Sequence, residues 1–180
     1  DDTVVVGDEI QSIPEDASIA GLIPGEYTVR DLMEASLIPS GMDGSYALLA
    51  AVTRSRTNDP SLSGEEALET GLRQVSEWMV TQGYEDTRIV DAGGYSPENI
   101  SNLEDIINIT VKALQYPDID AAVRKFTTEI RLPDGKNLTL KNTNSYLDPD
   151  TFFYTPHATG VKTGALEDYC NLILRLDVKD

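Results

Sequence analysis

The sequence predicts an α+β domain in which helices come first and strands last. Two observations carry this. Up to about residue 125, apolar residues recur at three- and four-residue spacing behind capping signatures, which marks amphipathic helices. From Phe126 onward they alternate with polar residues, which marks half-buried strands. A length of 180 residues with 40% hydrophobic content fits one domain with a substantial core.

The elements follow in order. Thr3-Val4-Val5-Val6 is a short β-branched run, and a loop rich in Gly, Pro and acidic residues leads to Gly25. Thr28-Val29-Arg30-Asp31 has the spacing of a capping box. Its helix runs to about Leu37, where Pro39 stops it. Ser40-Gly41-Met42-Asp43 precedes a small-residue helix from Gly44 to Val52, and a polar loop spans Arg54 to Leu62. Ser63-Gly64-Glu65-Glu66 is a second capping box. Ala67, Leu68, Leu72, Val75, Trp78 and Met79 make the longest helix behind it, ending near Gly83. Arg88 to Val90 reads as a short extended piece and Gly93-Gly94 as a turn.

Ser101-Asn102-Leu103-Glu104 caps a further helix, with Leu103, Ile106, Ile107, Val111 and Leu114 on its inner side. Pro117 ends it, and a short helix over Asp118 to Arg124 follows. The helical region therefore covers 1–125. Phe126, Thr128, Ile130 and Leu132, the turn Pro133-Asp134-Gly135, then Leu138 and Leu140 predict a β-hairpin over 126–142. Two antiparallel strands are expected within 157–176, Ala158 to Thr163 and Tyr169 to Leu176, joined by a loop over Gly164 to Asp168.

Charge excludes some partners. Thirty-one acidic against fourteen basic residues give a formal charge of −17, which repels nucleic acid and anionic membrane surfaces. The single cysteine, Cys170, can form no intrachain disulfide or multi-thiolate metal site. Its strand-like surroundings predict a buried, inert thiol. No apolar run approaches the length of a membrane span, and no signal-peptide pattern is present. Nothing calls for a cofactor or a metal: HExxH, P-loop and Gly-x-Gly-x-x-Gly patterns are missing.

The chemistry-bearing stretch is Thr159-Gly160-Val161-Lys162-Thr163-Gly164. A Lys-Thr-Gly on a strand lines a pocket with an ammonium, a hydroxyl and bare backbone, which suits a ligand ending in a carboxylate. A lone strand lysine is otherwise solvated. Glycines on both sides weaken a strand unless backbone or ligand approaches closely, and Gly160 and Gly164 here favour a ligand. Ser40 reads either as the N-cap of a helix starting near Gly41, with Asp43 completing a capping box, or as a hydroxyl at a helix N-terminus that relays protons; one serine can do both. His157 reads as structural, since no Gly-x-Ser-x-Gly elbow accompanies it. Asp8, Glu9, Glu65 and Glu66 read as solvated surface.

Taken together, Tyr27 to Met33, Leu37-Ile38-Pro39-Ser40-Gly41-Met42-Asp43, Tyr46-Ala47-Leu48, Asn142-Thr143-Asn144 and His157 to Gly164 resemble the D-alanyl-D-alanine carboxypeptidases, low-molecular-mass penicillin-binding proteins; Asp168-Tyr169-Cys170 also sits where that family has a small motif. The resemblance spans nearly the whole chain. It implies a β-lactamase/transpeptidase-like fold, a mostly helical subdomain followed by antiparallel sheet strands. It also implies serine acyl transfer on peptidoglycan stem peptides ending in D-Ala-D-Ala, outside the cytoplasm. By position, the resemblance makes Ser40 the proton-relay serine. Lys162 and Thr163 become the carboxylate grip, Gly164 leaves substrate room, and the Ala165 N–H is half of the oxyanion hole.

The sequence departs from the family pattern twice. No serine is followed three residues later by lysine, so the Ser-x-x-Lys nucleophile motif is missing from these 180 residues. The chain therefore reads as a partial catalytic domain, clipped at both ends or shortened, with an incomplete sheet. It is expected to be inactive by itself and to react with β-lactams only if a nucleophile is supplied. Met42 stands where the family has an asparagine that touches substrate, and its thioether is only a weak acceptor. Two further readings follow: a non-catalytic cell-envelope binding or scaffolding homologue and, less well matched, a β-lactamase. A sheet cut at one side also exposes an edge that invites self-association.

Overall fold

The computed structural model describes residues 2–166 and 169–178. Strand β1 (Thr3–Val6) pairs antiparallel with β2 (Gly25–Thr28), Val4 opposite Tyr27. The sequence pattern predicts no strand at β2. Helices α1 (Val29–Leu37), α2 (Met42–Thr57), α3 (Gly64–Thr81), α4 (Leu103–Ala113) and α5 (Pro117–Val123) follow. The hairpin β3 (Thr127–Arg131) and β4 (Asn137–Lys141) comes next, Glu129 facing Thr139. The last pair is β5 (Ala158–Leu166) and β6 (Tyr169–Leu176), Thr163 facing Leu172. The α+β order is the predicted one. Among the described residues the strands form three separate antiparallel pairs.

Local chemistry sets most helix starts. The Thr28 hydroxyl accepts from Asp31 N while the Asp31 carboxylate accepts from Thr28 N, and Ser63 and Glu66 repeat the arrangement. Each such cap contributes about 1 kcal/mol. Asn102 caps α4 by accepting from Asp105 N. The main core joins Val6, Tyr27, Leu32, Ala35, Ile38 and Ala47 to Ile130 and Leu140, so α1 is clamped between the β1–β2 pair, α2 and the β3–β4 hairpin.

Four expectations are corrected. Leu103, Ile107 and Val111 do not face inward: they are exposed, because the inner side of α4 is held instead by buried Asp105, which accepts from Thr87 Oγ1 at 2.7 Å. Pro117 opens α5 at its first turn, where its missing N–H costs nothing. Glu9 is fully buried, paired to Arg54 at 3.0 Å and accepting from Gly7 N. The last hairpin is longer than expected, β5 reaching Leu166, and the expected turn residues 167 and 168 lie outside the described residues, as does Asp168 of the small motif.

Candidate functional site

The site forms where the turn before α2 meets β5. Pro39 ends α1, and the chain doubles back through Ser40 in the left-handed region at φ 61°. Such a conformation is uncommon for a residue with a Cβ and holds only when its surroundings fix it. Here they do. Gly41 N donates to Ala35 O at 3.1 Å, Met42 N to Ser18 O at 2.8 Å and Thr143 N to Ile38 O at 3.2 Å. A Cβ at Gly41 would lie 2.5 Å from Ala35 O, so only glycine passes there.

Asp43 supplies the deepest anchor. Its buried carboxylate accepts from Ala20 N at 2.8 Å, Gly21 N at 2.8 Å, Leu22 N at 2.9 Å and its neighbour Gly44 N at 3.0 Å. It therefore ties the loop before β2 to the start of α2 and does not serve as a capping partner of Ser40. Helix α2 begins at Met42 with Gly41 at the cap position and no side-chain cap, which leaves the Ser40 hydroxyl available.

Opposite Ser40, β5 presents Lys162. Its ammonium donates to Ser40 Oγ at 2.5 Å and to Thr163 O at 2.8 Å. Thr163 Oγ1 lies 2.5 Å from Thr143 Oγ1, joining β5 to the segment after β4. Asn142 shapes that segment: its Nδ2 donates to Lys125 O at 2.9 Å and its Oδ1 accepts from Asn144 N at 2.9 Å. Burial pushes the Lys162 ammonium down from 10.5 to about 8, and among the described residues no carboxylate pairs with it.

Ser40, Thr163, Gly164 and Ala165 line one cavity of about 520 Å³, together with Tyr146 and Phe153. None of the described residues lining it is acidic, although the chain carries a net charge of −17. A Cβ at Gly164 would meet nothing within 4 Å, so the strand lies open there. Gly160 differs: at φ 115° its absent Cβ would sit 3.0 Å from Val123 Cγ2, so it serves packing against α5 and not ligand approach.

The remaining predicted residues separate. Met42 is buried with its side chain against Gly93 and does not line the cavity. His157 is exposed at the strand entrance, its Nδ1 3.2 Å from Asp177 O. Cys170 is exposed and lines the cavity, against the expectation of a buried thiol, because β6 has only β5 beside it among the described residues. Sequence reasoning missed Tyr146 and Phe153. The one available signal was the aromatic run Phe152-Phe153-Tyr154 in an otherwise polar loop.

Two hydroxyls and open backbone line a cavity in which no described residue is acidic, and an ammonium bonded to one of those hydroxyls completes a set that can hold an anion and move a proton between Ser40 and Lys162. No family model matches the sequence. The chain is 26% identical over 166 residues to the D-alanyl-D-alanine carboxypeptidase DacF of Bacillus subtilis, covering 89% of this chain and 39% of that one, so it spans well under half the length of this curated relative. Its fold is that of a Streptomyces DD-transpeptidase, with a TM-score of 0.79 at 23% identity over 99% of this chain and 68% of that one. A point variant of the same transpeptidase superposes with a TM-score of 0.81 at 22% identity and the same coverage. The architecture is therefore the penicillin-binding-protein, β-lactamase-like one.

Proposed function

We propose that this chain carries the carboxylate-recognising part of a serine D-Ala-D-Ala peptidase site, and that it binds peptidoglycan stem peptides ending in D-Ala-D-Ala in the cell envelope outside the cytoplasm. The observation that carries the reading is Lys162: a half-buried ammonium that pairs with no carboxylate among the described residues and donates to Ser40 Oγ, while Ser40 and Thr163 line a cavity in which no described residue is acidic. A cation deprived of water and counter-charge is stabilised by an incoming anion. The ligand carboxylate would accept from Lys162 Nζ and Thr163 Oγ1. Gly164 would leave room for the methyl-bearing terminus, and the Ala165 N–H would point at the carbonyl oxygen of the scissile bond.

In this reading Ser40 is the relay. Its oxygen accepts from Lys162 Nζ, which leaves its own proton free to pass toward the departing amine. The attacking serine and its lysine base are not supplied by these residues, since no Ser-x-x-Lys occurs in them. The 180-residue chain is therefore expected to bind without turnover, and to retain a β-lactam covalently only when a nucleophile is provided. A non-catalytic binding or scaffolding role is the second reading, favoured by Met42: its side chain packs under Gly93, so the position where the family resemblance implies an amide offers the cavity nothing polar.

Two assays test this. Calorimetric titration with a diacyl D-Ala-D-Ala peptide and with its C-terminal amide should give binding of the acid only. Incubation with the same peptide should release no free D-Ala. Equal binding of acid and amide defeats the carboxylate reading, and steady D-Ala release defeats the inactivity.

A further inference from the structure

The cavity lined by Ser40 and Thr163 carries a feature that the carboxylate reading does not use. Phe152, Phe153 and Tyr154 are 98%, 57% and 45% exposed, three consecutive aromatic rings left in water. Phe153 lies edge-on to Phe152 at 5.9 Å between centroids, and 6.1 Å from the Tyr146 ring on the other side. Phe153 and Tyr146 line the same cavity as Thr163, Gly164 and Ala165, with Leu172 of β6 beside them.

These rings do not ride on a loose loop. Thr155 N donates to Tyr146 O at 3.2 Å, closing the loop at its base. Thr151 Oγ1 donates to Ser145 O at 2.7 Å, and Tyr154 N to Thr151 O at 3.3 Å. Tyr146 N donates to the buried Asn144 Oδ1 at 3.1 Å, and Asp148 pairs with Lys141 at 3.1 Å. The rings are thus held in place before any ligand arrives, which lowers the ordering cost of binding. An exposed, pinned apolar patch continuous with a binding cavity marks a contact surface.

We propose that Phe153 and Tyr146 form an apolar subsite selecting peptides whose acyl group, on the N-terminal side of the D-Ala-D-Ala terminus, is aromatic or branched aliphatic. This rests on the carboxylate reading: with the ligand's terminus held at Thr163, its acyl end is the part left to meet Phe153 and Tyr146, which line the same cavity. The chemistry is apolar rather than cationic, because no acidic side chain among the described lining residues could pair with an ammonium.

The test titrates the full 180-residue chain with N-acetyl-, N-phenylacetyl- and N-(6-aminohexanoyl)-D-Ala-D-Ala, and with the phenylacetyl peptide as its C-terminal amide. The phenylacetyl acid should bind roughly 2- to 10-fold more tightly than the acetyl acid, the range expected of one aromatic contact. Phe153→Ala should erase that difference, the phenylacetyl acid losing more affinity than the acetyl acid. The inference is overturned if phenylacetyl and acetyl peptides bind equally, if the advantage survives in Phe153→Ala, or if the aminohexanoyl peptide gains instead. If the phenylacetyl amide binds as tightly as its acid, the carboxylate reading fails while the Phe153 comparison still decides the subsite. Binding of none of the peptides overturns both.

Discussion

Lys162 Nζ lies 2.5 Å from Ser40 Oγ across 122 residues of sequence, and that contact joins the turn before α2 to the middle of β5. Burial, with no carboxylate paired to it among the described residues, makes this lysine costly in the folded state.

Stability should therefore respond to Lys162. Its folded value of about 8 lies below the unfolded 10.5, so between those pH values the unfolded chain holds one more proton than the folded one. Folding stability accordingly rises with pH across that window, and the cost is fully present below about 8. Lys162→Met should stabilise the protein at pH 7 by about 1–3 kcal/mol and flatten the slope between pH 8 and 10.5. Urea unfolding of both proteins at several pH values checks this.

Binding should carry the opposite sign. A carboxylate ligand needs the protonated ammonium, so affinity for the acid should fall as pH rises through about 8 in the free protein, by about tenfold per unit beyond it. Calorimetry from pH 6.5 to 9.5 measures it. A flat profile removes Lys162 from the site.

The two glycines flanking Lys-Thr should separate. Gly160→Ala meets Val123 and a left-handed φ, and should cost about 1–3 kcal/mol of stability. Gly164→Ala meets open space and should leave unfolding unchanged within about 0.5 kcal/mol while weakening ligand binding. Denaturant midpoints set beside titrations distinguish them.

Asp43→Ala would leave four backbone N–H groups without their acceptor. Stability should drop by about 3 kcal/mol or more, since buried donors keep their desolvation cost. Ligand binding should weaken in parallel as the Ser40 turn loosens. Unfolding curves and titration of the same sample report both.

The outer edge of β6 has no strand beside it among the described residues, and Tyr169 and Leu176 are exposed along it. We expect edge-to-edge association at high concentration. Sedimentation should show a concentration-dependent dimer, and a monomer throughout would remove the idea.

The parts legible in the sequence were those that local chemistry decides. Thr28 with Asp31 and Ser63 with Glu66 announce their helices because donor and acceptor lie three residues apart. Alternation around Ile130 and Leu140 announced the hairpin for the same reason. Long-range partners decided the rest. Asp43 looks like a capping residue until its loop partners at 20–22 are seen, and Glu9 looks solvated until Arg54 reaches it. The apolar stripe of α4 has ordinary periodicity, but burial depends on what packs against it, which periodicity does not encode. Lys162 and Ser40 were nameable as residues. Their contact, and the Tyr146 and Phe153 rings in the same cavity as Ser40, required the fold.

The most direct measurement is a backbone amide titration by NMR, adding a diacyl D-Ala-D-Ala peptide to the wild type and to Lys162→Met. The account predicts saturable shifts at Thr163, Gly164 and Ala165 in the wild type, none with the C-terminal amide and none in the variant. Equal shifts with acid and amide, or undiminished binding by Lys162→Met, would contradict it.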